Sequence, residues 1–226
     1  MTKTFKALGA LLTYPTSELQ AAAAEIGDVI DAEQRLSGKE KAALHELLEG
    51  LSTGDVLDLQ ERYVALFDRG RATSLNLFEH VHGESRERGP AMVDLMQVYD
   101  RAGFHLASNE LPDYLPLMLE FLSHQPFAQA DDMLSDCAHI VRRLGEALRA
   151  RSSHYDAVPV ALLAMIGEAG LSPAKKEAPP MKEASDEKSL DEDWMDSPVI
   201  FGPEGAPDCK PAQPAASVIQ FMPRSR

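Results

Sequence analysis

The sequence predicts an all-α protein: a single-domain bundle of about six to nine helices, followed by a disordered C-terminal tail. Three observations carry this. Apolar residues recur at helical spacing from the N-terminus to about Leu171. No segment alternates apolar and polar residues as a half-buried strand does, and no Asn-Gly turn marks a hairpin. After Leu171 the composition changes, and residues 172–226 hold nine of the fifteen prolines among mixed lysine, aspartate and glutamate. Such a segment buries too little apolar area to offset the entropy of ordering its backbone. The expected division is a helical domain over 1–171 and a disordered tail over 172–226. No repeat of fixed period stands out, which argues against a solenoid.

The elements follow in order. Phe5, Leu8 and Leu12 share one face of a first helix. Ser17 is the expected cap of a second, running through the alanines to about Ala32. Ser37 caps a third, with Glu40 as its capping-box partner and Leu44, Leu47, Leu48 and Leu51 inward. Asp55 opens the next, with Leu59, Tyr63, Leu66 and Phe67 inward. Pro90 opens a helix whose Met92, Leu95, Met96 and Tyr99 repeat at i, i+3, i+4 and i+7, and Gly103 ends it. Leu115, Met118, Leu119 and Leu122 form a stripe beginning near Pro112. Leu134, Cys137, Val141, Leu144 and Leu148 form another, with Cys137 read as a small buried hydrophobe. Val160, Leu163 and Ile166 form the last. In the tail one apolar island, 194–202, holds the only tryptophan. It is either a docking segment or a chance cluster.

Composition limits the function. The 226-residue chain has a formal net charge of -14, which repels phosphate backbones and argues against nucleic-acid binding. It has no apolar run of about 18 residues, so no membrane insertion is expected. The Ala7–Leu12 apolar patch is short for an export signal and reads as helix. Cys137 and Cys209 lie outside any Cys-x-x-Cys spacing, which makes a disulfide scaffold implausible and a reducing cytoplasm the default.

The segment Phe78-Glu79-His80-Val81-His82-Gly83-Glu84-Ser85-Arg86-Glu87-Arg88-Gly89-Pro90 concentrates ionisable groups. A metal reading is weak. His80 and His82 point about 200° apart on a helix, whereas helical zinc pairs sit at i and i+4. A catalytic reading is weak too, because Ser85 lies in no nucleophile elbow and an acidic helical chain supplies carboxylate pairs by chance. Neither a catalytic residue nor a metal site is expected; a small-molecule enzyme or a metal-binding regulator using His80–Arg86 is the alternative. The cations carry more information. From Ala42 to Ala174 the chain uses arginine and no lysine. Two readings stand. Arg69, Glu79, Glu84, Arg86, Arg88 and Asp94 form a polar lattice that fixes the Gly83 turn, or they form a solvated face of little energetic weight.

The chain resembles the NarJ-type assembly chaperones of respiratory nitrate reductase. The resemblance is carried by Phe67-Asp68-Arg69-Gly70-Arg71-Ala72-Thr73-Ser74-Leu75, Leu77–Arg86, Arg88–Leu95, Glu110–Pro116 and Leu119–Leu122, nearly gap-free over about residues 60–125. It extends to Tyr14-Pro15 and to the Trp194–Gly202 island. Pro90 departs from the pattern, which often carries a longer polar residue there. The resemblance implies a TorD/DmsD-like helical fold and no resident cofactor. It further implies a cytoplasmic protein that binds the cofactor-free catalytic subunit, in part through its N-terminal segment. That subunit is held until the molybdenum–guanine-dinucleotide cofactor and iron–sulfur clusters are inserted, and is kept from docking early on the membrane subunit; the chaperone is absent from the finished enzyme. The family motif maps onto Arg69, Phe78, Glu79, His80, His82, Gly83, Glu84, Ser85, Arg86, Asp94, Glu110, Pro112, Asp113, Tyr114 and Glu120. These are the candidate client-binding residues, with a scaffold role as the alternative. A client helix would lie in a groove with Met92, Met96 and Met118 as an adaptable wall, although a methionine stripe more commonly belongs to a core.

Overall fold

The computed structural model describes residues 3–83, 85–106 and 110–171. All of them fall in one compact unit. The 172–226 tail and its 194–202 island lie outside the described residues.

The described residues form ten α-helices. The first four are α1 (Lys3–Leu11), α2 (Ser17–Ala21), α3 (Ala23–Ala32) and α4 (Gly38–Thr53). Then come α5 (Val56–Phe67), a 3-10 turn (Arg71–Thr73), α6 (Leu77–Val81) and α7 (Arg88–Arg101). The last are α8 (Leu115–Ser123), α9 (Phe127–Ala150), a second 3-10 turn (His154–Asp156) and α10 (Ala157–Met165). The all-helical class read from the periodicity is the class observed.

Helix α1 is the pivot of the core. Phe5, Leu8, Leu11 and Leu12 are fully buried. The helix lies close against α8 because Gly9 has no side chain: a Cβ there would stand 3.1 Å from the Pro116 carbonyl oxygen and 3.2 Å from Leu119 Cβ. The long α9 packs under α10 by the same device, with Gly145 facing Pro159 and Leu171. Helix α10 is buried nearly all round, through Val158, Ala161, Leu162 and Leu163. The expected one-sided stripe of Val160, Leu163 and Ile166 is therefore too narrow: Val160 and Ile166 are only half-buried.

Side-chain capping sets the starts of α2, α4 and α5. Asp55 accepts from the Leu57 and Asp58 amides at 3.0 and 3.2 Å, and the Ser37 amide donates to the Glu40 carboxylate at 2.6 Å. Four expectations need correction. The cap of α2 is Thr16, not Ser17; its hydroxyl accepts from the Leu19 amide at 3.3 Å. The single helix expected to Ala32 is broken at Ala22, because its two pieces answer to different anchors. Gln20 in α2 donates to the Leu51 and Gly54 carbonyls, while α3 buries Ile26 and Ile30. Pro90 does not open α7 but sits third in it, and α8 begins at Leu115 with Pro116 in its first turn rather than near Pro112.

Helix α7 stands at the edge of the bundle. Of its expected stripe only Leu95 and Tyr99 are buried; Met92 is half-buried and Met96 is exposed. Tyr99 anchors the helix, donating to the Pro112 carbonyl at 2.8 Å and packing on Phe121 and Phe104. Gly103, at φ +74°, ends it as expected.

Candidate functional site: a polar crossing beneath an apolar groove

Two motif segments meet where the chain before α6 crosses the chain before α8. Leu77 donates its amide to the Asp113 carbonyl at 3.0 Å, and Leu115 donates to the Leu75 carbonyl at 2.8 Å. These bonds make an isolated antiparallel bridge between Asn76 and Tyr114, the one strand-like pairing among the described residues. The first turn of α6 is capped from a distance. Asn76 gives no side-chain cap, and Asp113 Oδ2 accepts from the Phe78 amide at 2.9 Å.

Asp113 is fully buried and faces a cation. Arg88 Nη2 stands 3.9 Å from its Oδ2 and donates to Glu79 Oε1 at 3.2 Å. The two carboxyls shift in opposite directions. Burial dominates at Asp113 and raises its pKa, against the lowering pull of the Phe78 amide and Arg88. At Glu79 burial also raises, but hydrogen bonds from Ser74 and Arg88 and the Arg88 charge outweigh it together, and its pKa falls. Arg88 therefore pairs chiefly with Glu79. Asp113 Oδ1 and Arg88 Nε are buried with no hydrogen-bond partner.

The surrounding motif residues mainly hold backbone. His80 Nε2 donates to the Ser74 carbonyl at 2.8 Å, which fixes its tautomer because a carbonyl only accepts. The Tyr114 and Tyr63 hydroxyls are 3.3 Å apart, and Tyr63 also donates to the Leu12 carbonyl at 2.8 Å. His82 ends α6, edge-on to Phe78, with Nδ1 4.0 Å from Glu87. Gly83 follows at φ +54°, and the Arg71 guanidinium occupies the space where a Cβ would stand. That arginine donates to the Glu79 carbonyl at 3.4 Å. Alanine at 83 meets both backbone strain and this guanidinium, so Gly83→Ala is expected to cost about 1–2 kcal/mol. Gly89→Ala, in the open part of α7, is expected to be neutral or mildly stabilising. Urea unfolding of both variants checks this; an unchanged midpoint for Gly83→Ala would contradict it.

The polar lattice exists in a smaller form than the sequence suggested. Arg88, Glu79 and Asp113 make it, with Arg71 beside them. Arg69, Arg86 and Asp94 are exposed and form no ion pair among the described residues. Glu84 lies outside those residues. Ser85 is exposed, its hydroxyl accepting from the Glu87 amide at 3.3 Å. Glu110 is exposed, and Glu120 pairs with Lys6 at 3.3 Å on another face. Among the described residues no three His, Cys, Asp or Glu side chains stand close enough to share an ion.

Above the crossing opens a groove of about 770 Å³. Its floor is Leu77, Phe78, Met118 and Phe121, with Asp113 among them. Helix α7 gives one wall through Leu95, Val98 and Arg101. Helix α9 gives the other through Gln129, Asp132, Met133, Asp136 and Cys137. Of the methionine wall expected from sequence, Met118 lines the floor; Met92 and Met96 do not line the groove, and Met133 takes their part. Cys137 is half-buried at the groove rather than in the core, and burial pushes its thiol up to about 11, so it stays protonated at neutral pH.

The bundle has the fold of a crystal structure described as "a putative redox enzyme maturation protein from Archaeoglobus fulgidus", with TM-score 0.55 and 19% identity over 74% of this chain and 94% of that one. Residues 17–157 match the family described as nitrate reductase delta subunit, and the chain belongs to that family. It is 44% identical over 193 residues to the nitrate reductase molybdenum cofactor assembly chaperone NarJ of Escherichia coli strain K12, covering 84% of this chain and 81% of the relative. It is 37% identical over 205 residues to the same organism's "probable nitrate reductase molybdenum cofactor assembly chaperone NarW", covering 90% and 86%. The NarJ-type resemblance read from the motifs is thus a family membership, and it places the chain among assembly factors rather than catalysts. Among the described residues no helix is long and apolar enough to cross a membrane.

Proposed function

We propose that this protein is a cytoplasmic chaperone that holds the cofactor-free catalytic subunit of a respiratory nitrate reductase until its molybdenum cofactor is in place. It receives the subunit's N-terminal segment as a helix in the groove between α7 and α9, and leaves before the complex docks on its membrane partner. The observation that carries this reading is the groove itself. It is open and apolar, and its floor includes two residues of the family motif, Phe78 and Asp113. A helix some 10 Å across fits such a space with its apolar face down. The rest of the motif supports the reading indirectly, because His80, Tyr114 and Gly83 keep the floor segments in register. In the same reading residues 1–171 are the folding unit.

Calorimetric titration of the full chain with a synthetic peptide of the subunit's N-terminal segment is the direct test. A dissociation constant in the micromolar range or tighter is expected. Absence of binding by both the peptide and the cofactor-free subunit would remove the proposal.

A further inference from the structure

We infer that α9 carries the charge specificity of this groove, and that Asp132 and Asp136 select a helix bearing basic side chains one turn apart. The inference rests on the groove reading above and adds the chemistry of its occupant. On α9 the residues facing the groove repeat with the helical turn. Gln129, Asp132 and Asp136 form a polar rail at i, i+3 and i+7, and Met133 and Cys137 line the groove one position beyond each aspartate. Asp132 and Asp136 are exposed, and among the described residues neither has an ion pair. They are about 6 Å apart along the axis, the rise of four helical residues.

The opposite wall offers only one cation, Arg101, and it is engaged with its own helix: Nε donates to the Gln97 carbonyl at 3.0 Å. Arg88, beside Asp113, is committed to Glu79. The floor beneath is acidic as well. Asp113 is fully buried, lines the groove, and leaves Oδ1 without a donor. An occupant that brings cations to the α9 rim pairs with both exposed aspartates. An acidic helix would meet three carboxylates, and the chain's net charge of -14 would repel it at longer range. The class of ligand is therefore an amphipathic helical segment with lysine or arginine on one flank of its apolar face.

The test uses the full chain and two synthetic helical peptides of one apolar pattern, with either lysine or glutamate at two flank positions four residues apart. Wild type is expected to bind the lysine peptide about tenfold more tightly, the effect of two exposed ion pairs. Asp132→Lys with Asp136→Lys is expected to reverse the preference, and Asp132→Asn with Asp136→Asn to abolish it. Both positions are exposed, and thermal unfolding confirms that the variants fold. Equal binding of the two peptides by wild type, or a lysine preference that survives the reversal, would overturn the inference while leaving the groove intact. Failure of both peptides and of the client's N-terminal segment to bind would overturn the groove reading with it.

Discussion

Arg88→Ala is expected to lower folding stability by about 2–3 kcal/mol. Removing one partner of a buried ion pair is costly because the other charge stays behind in a poor solvent. Here two carboxylates lose their cation, the fully buried Asp113 and the three-quarters-buried Glu79. Residual exposure of Arg88 and Glu79 keeps the figure below the full cost of a dry pair. The deficit has a pH signature. Glu79 has a lowered folded pKa, so its contribution to the wild type is present at neutral pH and is lost as pH falls through that value. Asp113 has a raised folded pKa, so its protonated form is the better-tolerated one and needs no cation. Both effects shrink the gap between wild type and variant in acid. Urea unfolding at neutral and at acid pH measures it. Asp113→Asn should recover part of the loss, because asparagine can still accept from the Phe78 amide but carries no charge. An Arg88→Ala cost that is the same in the wild-type and Asp113→Asn backgrounds would show that the two side chains are not coupled.

Val98→Glu combined with Met133→Glu is expected to weaken client-segment binding by about a hundredfold. These residues line the groove, one from α7 and one from α9. Each would otherwise bury apolar surface against the occupant, and two such side chains account for an effect of that size. Neither is a fully buried core residue: Val98 is 39% exposed and Met133 half-buried. The thermal midpoint should therefore move little while calorimetric binding falls. Undiminished binding by a folded double variant would place the client elsewhere.

The helices were legible because each reads from a few neighbouring residues. The Ser37–Glu40 box, the Asp55 cap and the Gly103 stop are all local, and all three are present. Local rules failed where a distant segment decides. Thr16 and Ser17 are equally good caps by residue type, and the backbone at Thr16 is the one that turns extended. The repeat at Met92, Leu95, Met96 and Tyr99 is real, but a stripe does not reveal that its helix lies at an edge with one shoulder in water. At the site, the motif marks two segments that the fold brings together, without showing how they are wired. Asp113 caps a helix 35 residues upstream, a link that no spacing rule contains. The α9 wall was hidden for the same reason. Cys137 falls on the apolar stripe of its helix, and only the position of α7 leaves it beside a groove.

The pairing of α1 with α8 bears on how the molecule is made. Helix α1 emerges during synthesis well before its main partner and carries Phe5, Leu8 and Leu11, all fully buried in the end, yet most of the surface it packs against lies more than 100 residues later in the chain. Until Ser123 has been added, those side chains have only α3 to pack on, and the long-range closure they await is the slow kind. A protein proposed to shelter another's unfinished chain thus passes through an exposed interval of its own, and its core closes only once most of the helical unit has been translated.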